Sequence, residues 1–250
     1  MVKLRIENQA VIFALLARQV MQRHGDEGES VIQEGMIRYG RERGVRMAAN
    51  AEANGDPVEL WTNQAYGEWK PDYDGQMEFG TDRTEPTLRT YISKCAWCEA
   101  WKKYDLLPYG REYCKQVDWA VYDGFQKGSG AVESGALGGK DAHGKEVRIT
   151  TELNEPMSWG GDVCRFDWGV GLTEDEQKKV SDKKKELGTS AMRDMNFHTA
   201  HMWYSMCDTI RKNYGGEDAE DMIEAAKREY IEIFGQEEFD VLSGYELSDF

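Results

Sequence analysis

The sequence predicts an α+β fold, with a small central antiparallel sheet covered by N- and C-terminal helical hairpins. Apolar residues recur at helical spacing near both ends of the 250-residue chain, whereas segments in the middle alternate apolar and polar residues as strands do. We therefore expect one domain over residues 1–250, helical over 1–70 and 172–250, with a mixed α/β core over 71–171.

The N-terminal region is predicted to form two helices. Apolar residues at helical spacing between Val11 and Val20 indicate a helix over residues 9–24, which the sequence HGDEGE then interrupts. A second helix carries Val31 and continues toward the sequence AEANGDP at residues 51–57, where glycine and proline end it.

The same plan recurs near the C-terminus. Residues 21–44 can be laid over residues 211–235 with a one-residue gap, and each copy reads helix, glycine turn, helix. The aligned positions are His24-Gly25 with Tyr214-Gly215, Val31-Ile32 with Met222-Ile223, Tyr39 with Tyr230, and Gly44 with Gly235. Two interpretations stay open: any two acidic amphipathic hairpins look alike, or two pseudo-equivalent hairpins flank a central unit.

The central region begins with a strand and two helices. Residues 87–97 alternate as a strand should after Pro86, and residues 98–125 suit two helices separated by a break at Pro108. The glycine-rich stretch 126–145 contains almost no large apolar residue, so we expect a mobile loop or a hairpin tip there.

Two further strands and a helix complete the core. Residues 146–154 alternate as a strand, and residues 160–170 look like the next strand, entered through a glycine turn. Residues 172–188 begin with Thr173 and acidic residues and end with lysines and a glycine. This pattern is typical of a solvated helix whose dipole is compensated by charges at both ends.

Composition narrows the function classes. The chain has 31 basic and 46 acidic residues, and its net charge of −15 disfavours nucleic acid and anionic membrane surfaces as partners. No segment has the apolar length of a membrane span, and the N-terminal stretch is interpreted as a helix rather than a signal peptide. We therefore expect a cytoplasmic protein with reduced cysteines.

Cys95 and Cys98 have the spacing of a zinc knuckle or a redox pair. A zinc site usually needs a second such pair, which this sequence lacks, and a redox pair of the thioredoxin kind needs a parallel-sheet pattern that is missing here. The alternative is that both thiols pack as small hydrophobic groups at a strand–helix junction.

Cys114 and Asp118 are four residues apart and share one face if their segment is helical. A carboxylate raises the pKa of a neighbouring thiol, so Cys114 needs a cation or a histidine from elsewhere to act as a nucleophile. Asp118 could instead hold a substrate nitrogen or act as a base on water. Cys164 and Arg165 point to opposite faces of a predicted strand, where Arg165 could bind a substrate carboxylate.

His198 and His201 lie one helical turn apart in the sequence FHTAHMWY. They face the same way on a helix, so they could ligate a metal or supply a general base. Equally, they could be histidines whose hydrogen-bonding groups have partners at a helix–helix contact.

Tryptophans cluster in sequence around the cysteine motifs. They are Trp97, Trp101, Trp119, Trp159 and Trp168. Most aromatic residues pack in cores, but a wall of indole rings could also sandwich a flat substrate ring, for which Trp97, Trp119 and Trp168 are the candidates.

Several of these motifs resemble the L-2-amino-thiazoline-4-carboxylic acid hydrolase family. The resemblance is carried by YCKQVDWAVYDGF and GDVCRF in the centre, by GDEGESVIQEGMIRYGRERG near the start, and by FHTAHMWY and the segments after it. It implies hydrolysis of a carbon–nitrogen bond in a small ring. Carried over position by position, it points to Cys98, less directly to Cys95, and to Cys114, Asp118, Asp162, Cys164 and His201. The glycine-rich insertion at 126–145 departs from the family pattern and puts the substrate in doubt.

The sequence thus predicts a hydrolase that opens a small cyclic amidine or amide. In one variant Cys114 or Cys164 attacks the ring carbon, with His198 or His201 as base and Asp118 holding the substrate nitrogen. In the other, a divalent metal such as zinc, held by cysteines and histidines, delivers hydroxide. The alternatives are a binding module with a structural metal on cysteines, and a redox protein using Cys95 and Cys98. A homo-oligomer is compatible with the amphipathic end helices.

Overall fold

Helices dominate the computed structural model, which describes residues 2–128, 139–140, 146–147, 150–151 and 156–250, and the side chains of 2–126 and 156–250. The helices are α1 (Ile6–Ala53), α2 (Leu60–Ala65), α3 (Ala96–Lys103), α4 (Leu107–Gly128), α5 (Glu174–Leu187), α6 (Met195–Tyr214), α7 (Gly216–Phe234) and α8 (Gln236–Asp240). The strands are β1 (Glu78–Arg83), β2 (Arg89–Lys94), β3 (Gly139–Lys140), β4 (Glu146–Val147), β5 (Thr150–Thr151) and β6 (Cys164–Asp167).

The sheet confirms the predicted α+β class. Its four strands run in the order β1-β2-β6-β5, and each neighbouring pair is antiparallel. Strands β3 and β4 form a separate two-stranded antiparallel pair. None of the helices that the structure describes combines the length and the apolar character needed to cross a membrane.

Contacts between residues divide the chain into two compact units. Unit 1 comprises Met1–Tyr39, Cys95–Val117 and Asp194–Phe250. Unit 2 comprises Gly40–Lys94 and Asp118–Arg193 and contains the four-stranded sheet. Both α1 and α4 contribute residues to each unit, because the division falls within these two helices.

Both predicted glycine breaks are present in unit 1. Gly25 adopts φ 57° and ψ −130° within α1, and helical structure resumes at once on both sides. The prediction that HGDEGE separates two helices is confirmed, since Gly25 alone has non-helical angles and marks the kink between two helical segments. Gly215, with φ 64°, separates α6 from α7 as expected. A positive φ favours glycine at both positions.

Reciprocal contacts in unit 1 favour the interpretation of two pseudo-equivalent hairpins. His24 and Tyr214, which the sequence alignment pairs, stack on each other with ring centroids 3.9 Å apart and planes at 12°. Continued without a gap, the same alignment pairs Arg18 with Asp208. It also pairs Arg38 with Glu229, the residues that come directly before the aligned tyrosines.

In the structure these equivalent residues exchange partners. Arg18 forms an ion pair with Glu229, and Arg38 forms one with Asp208. In a two-fold interface, position i of the first copy contacts position j of the second, and position j of the first copy contacts position i of the second. These reciprocal pairs are the pattern expected if two pseudo-equivalent hairpins pack about a pseudo-two-fold axis in unit 1.

A charge exchange tests this arrangement. Glu229→Arg should lower the free energy of unfolding by about 1 kcal/mol, because it places two cations together in a half-buried pair. Adding Arg18→Glu should recover most of that loss. The measurement is urea unfolding of wild type, both single variants and the double variant, and additive losses would contradict the pairing.

Unit 2 contains a helix crossing at backbone contact distance. A Cβ atom built on Gly44 of α1 would lie 2.0 Å from the carbonyl oxygen of Val121 in α4. A Cβ atom built on Gly124 of α4 would lie 2.2 Å from the carbonyl oxygen of Arg41. The second half of α1 and the second half of α4 can approach this closely only because both positions lack side chains.

The helix predicted over 172–188 is confirmed as α5. The Thr173 hydroxyl accepts a hydrogen bond from the Glu176 amide, and the Glu176 carboxylate accepts one from the Thr173 amide at 2.8 Å. This capping box satisfies backbone donors that the first turn leaves without helical partners.

Other boundaries were predicted wrongly. The strand expected over 87–97 ends at Lys94, because Cys95 caps α3. The strand expected over 160–170 is limited to Cys164–Asp167. The break at Pro108 is confirmed, since this proline lies in the first turn of α4. The loop expected over 126–145 begins inside α4, which extends to Gly128, and most of that loop lies outside the described residues.

Candidate functional site

The cysteine pair lies in unit 1 at the start of α3. Cys95 is the N-cap residue and Cys98 is in the first turn, so the prediction of a strand–helix junction is confirmed. Burial raises the pKa of the Cys98 thiol, which keeps this group protonated near neutral pH. Among the side chains that the structure describes, no group of three or more His, Cys, Asp or Glu residues is placed to hold a metal ion.

A buried glutamine, Gln9, is hydrogen-bonded to both Trp97 and His198, and the sequence did not indicate this role. Trp97 Nε1 donates a hydrogen bond to Gln9 Oε1 at 3.1 Å. Gln9 Nε2 in turn donates to the carbonyl oxygen of His198 and to the hydroxyl of Tyr39, both at 3.0 Å. Gln9 therefore ties three elements of unit 1 together, and a lone glutamine in a helical stretch gave no signal of this role.

The two histidines are fully buried on α6. His198 is 1% exposed and His201 is 0% exposed. The His201 ring lies between Tyr39, at a centroid distance of 4.7 Å, and Phe250, on which it stacks at 4.8 Å. His201 thus packs against an aromatic side chain of α1, as the alternative of a helix–helix contact expects. The role of either histidine as a base stays a prediction.

Cys114 and Asp118 both lie on α4, one helical turn apart. Cys114 is half-buried and belongs to unit 1, whereas Asp118 belongs to unit 2. The fifth cysteine, Cys207, is buried in α6, where burial raises its pKa far above the usual range.

Asp118 has an unusual electrostatic environment in unit 2. Burial raises the pKa of its carboxyl group to about 6, and the positive charge of Arg43 opposes this effect only in part. Within the described residues, no donor forms a hydrogen bond with this carboxyl group. A carboxyl group whose pKa burial raises toward neutrality is a candidate acid or base.

Two of the tryptophans predicted to contact substrate, Trp119 and Trp168, lie in unit 2. Trp119 and Trp168 pack against one apolar cluster, whose buried members are Leu60, Trp61, Leu88, Tyr122 and Leu172. Trp168 is edge-on to Tyr122 at 5.8 Å and donates through Nε1 to the Thr90 hydroxyl at 3.0 Å. Arg41 lies over the Trp119 ring at 5.6 Å. Both tryptophans thus pack against the core of unit 2, and their role in binding a flat substrate stays a prediction.

Strand β6 separates Cys164 from Arg165 as the sequence predicted. Cys164 is buried, and its sulfur accepts a hydrogen bond from the Met157 amide at 3.3 Å. Arg165 points to the other face and forms an ion pair with Asp82 at 3.4 Å. Asp162 is exposed in the turn before the strand. An arginine already paired with a carboxylate must exchange that partner before it can bind a substrate carboxylate.

A buried charge cluster in unit 2 was not predicted. Glu68 is fully buried and accepts two hydrogen bonds from Arg46, at 2.7 and 3.0 Å, while Arg43 Nε lies 3.7 Å from it. One local signal marks the cations, since GRERGVR is a basic stretch in a strongly acidic chain. No such signal marks Glu68, one of 46 acidic residues.

Comparison with models of protein families places the chain in a family. The model of the family described as L-2-amino-thiazoline-4-carboxylic acid hydrolase matches residues 5–168, more than half of the chain. The matched range includes Asp118, Cys164 and the charge cluster, and ends before α6 with its two histidines. No curated protein and no solved structure matches the chain.

Proposed function

The chain belongs to the L-2-amino-thiazoline-4-carboxylic acid hydrolase family, and from that premise we propose that it opens a small cyclic amidine or amide by hydrolysis of a ring carbon–nitrogen bond. The family name indicates a hydrolase. The Asp118 carboxyl group carries the rest of the proposal, because ring opening by water needs one group that takes a proton and later returns it.

Asp118 fits both halves of that task. As a carboxylate it takes a proton from water while the water oxygen bonds to the electrophilic ring carbon. As a carboxylic acid it then gives that proton to the ring nitrogen while the carbon–nitrogen bond breaks. A pKa of about 6 leaves both protonation states accessible near neutral pH, which a carboxyl group of ordinary pKa does not.

Two tryptophans of unit 2 support a flat substrate. Trp119 and Trp168 present indole rings against the same apolar cluster, and such rings bind planar amidine or amide groups by stacking. We assign substrate contact to these two residues, with Asp162 and Arg165 of the same unit as further predicted contacts. Arg165 could receive a substrate carboxylate by exchange with Asp82.

The identity of the nucleophile is tested by variants and metal analysis. Our proposal, in which Asp118 activates water directly, predicts turnover of a small cyclic amidine, seen as the mass gain of one water, in each of Cys114→Ser, Cys164→Ser, His198→Gln and His201→Gln. Loss of turnover in one cysteine variant alone would instead assign a cysteine nucleophile. Loss together with a bound metal in the purified protein would assign metal-bound hydroxide, with Cys95 and Cys98 as candidate ligands.

The reaction itself is tested with a panel of small cyclic amidines, amides and imides, including the family's 2-aminothiazoline carboxylate. Identification of the released group, amine or thiol, reports which ring bond breaks. A ligand that raises the melting temperature without any turnover across the panel would contradict hydrolysis and favour a binding module.

A further inference from the structure

His201 of α6 has two aromatic neighbours in unit 1 that are anchored in different ways. Tyr39, at a centroid distance of 4.7 Å, belongs to α1, and its hydroxyl accepts a hydrogen bond from the buried Gln9 at 3.0 Å. Phe250 stacks on the imidazole at 4.8 Å, with the planes at 16°, and belongs to a short segment that follows α8. Phe250 can therefore move away from His201 without the unfolding of any helix, whereas Tyr39 cannot.

Residues 245–250 form a short turn that bonds to itself and exposes most of its side chains. The Glu246 amide donates a hydrogen bond to the Asp249 carboxylate at 2.7 Å, and the Asp249 amide donates one to the Glu246 carbonyl oxygen at 3.0 Å. Residues 246–249 are all exposed. A segment that buries few apolar groups opens at a lower free energy than the helices of a core.

The Phe250 side chain attaches this segment to α6. Its ring centroid lies 5.2 Å from that of Phe197, 4.8 Å from that of His201 and 6.1 Å from that of Tyr204, three residues of this helix. Tyr245 adds an edge-on contact with Phe197 at 6.2 Å. The ring that covers the imidazole is thus also the one that holds the far end of the segment in place.

Leu242 anchors the chain just before this segment. It is buried, and its carbonyl oxygen accepts a hydrogen bond from the Tyr204 hydroxyl at 3.2 Å. Residues 245–250 can therefore turn away from His201 while the contact between Leu242 and α6 is kept.

We propose that residues 245–250 are a strap that opens and closes over His201 while α6 stays folded, with the Phe250 ring as the closing contact. In the closed state, which the structure shows, the imidazole is completely buried. Opening exposes it to water and small molecules, so the strap controls access to this histidine. The strap is independent of ring opening at Asp118, because access to His201 can be measured without any substrate.

The probe is diethyl pyrocarbonate, which modifies imidazole nitrogens that it can reach, and peptide mass spectrometry gives the rate at each histidine. Phe250→Ala should raise the rate at His201 about tenfold, because the ring burial that favours closure is lost. Phe250→Leu keeps part of that burial and should give an intermediate rate. Leu247→Ala is the matched control, since it removes an exposed apolar side chain of the same strap, and it should leave the rate unchanged.

His198 is the internal control for opening of the helix itself. It lies one turn before His201 on α6, is equally buried, and is edge-on to Phe197 at 5.9 Å. A rise at His201 alone supports the strap. Equal rises at both histidines would show a general loosening of unit 1 and would overturn the proposal, as would an unchanged rate at His201 in Phe250→Ala.

Hydrogen exchange of the wild type tests the strap without any substitution, so the proposal stays testable if Phe250→Ala does not fold. The hydrogen-bonded amides of Glu246 and Asp249 should exchange about 100-fold faster than the amides of residues 205–207 in the middle of α6. Equal protection of the two groups would mean that the strap opens only when α6 unfolds, which is the opposite of the proposal.

Discussion

Asp118→Asn should strongly reduce ring opening and yield a protein that is more stable than wild type at pH 7. The amide cannot take a proton from water or return one to the leaving nitrogen, so we expect kcat/KM to fall about 10³-fold. Asparagine also keeps the size of the side chain and removes a charge whose burial is unfavourable.

The stability gain has a defined pH dependence. The pKa of Asp118 is raised in the folded protein to about 6 from its ordinary value of 3.8, so the folded state binds the proton more tightly than the unfolded state. The free energy of unfolding of wild type therefore decreases as pH rises from about 4 to about 6, and stays reduced above that range. The gain from Asp118→Asn should be present at pH 7 and should disappear below pH 4 or so.

Asp208→Asn is a suitable control because its pKa is shifted the opposite way. Burial would raise the pKa of Asp208, but hydrogen bonds from Lys212 and Arg38 outweigh burial and hold the pKa below its usual range. This variant should retain turnover and lose stability at pH 7. Thermal unfolding between pH 4 and pH 8 or so, with assays on the same samples, compares the two variants. Retained turnover in Asp118→Asn would contradict the proposed function.

Gly44→Ala should destabilise unit 2 severely, although helix propensity alone favours alanine. Replacing glycine in a helix interior stabilises by about 1 kcal/mol. Here the added carbon would lie 2.0 Å from the Val121 carbonyl oxygen and 2.4 Å from the Phe125 nitrogen. These are backbone atoms of α4, which cannot rotate away as a side chain does, so we expect a net loss of about 3 kcal/mol.

Gly67→Ala is the matched control for this substitution. Gly67 is exposed in the same unit, its φ is not positive, and a Cβ atom there would have no neighbour within 4 Å. Its effect on unfolding by urea should stay within about 0.5 kcal/mol. Equal effects of the two substitutions would show that α1 and α4 do not cross at the observed distance.

Local signals in the sequence predicted the elements that depend on local chemistry. Thr173 and Glu176 predicted the start of α5, and Gly215 predicted the turn between α6 and α7, because caps and positive φ angles are set by the residues themselves. Strand β1 was missed because five of its six residues are exposed, including Phe79, so no alternation of burial marks it.

The candidate site was predictable in part for the same reason. Asp118 and Trp119 stood out within an aromatic segment, and the family resemblance supported Asp118. The pKa of Asp118 depends on burial and on Arg43, which lies more than seventy positions earlier in the chain. Glu68 depends on two arginines that come before α2, and no spacing rule connects residues brought together only by folding.

The exchanged ion pairs of unit 1 bear on how such a surface can arise. In an interface between two identical hairpins, each favourable substitution occurs on both sides. Such an interface therefore needs half as many substitutions as one between two unrelated surfaces. Once two copies share one chain, each can diverge alone. The two ion pairs have different additional partners. Gln19 joins Arg18 in contacting Glu229, whereas Lys212 joins Arg38 in contacting Asp208.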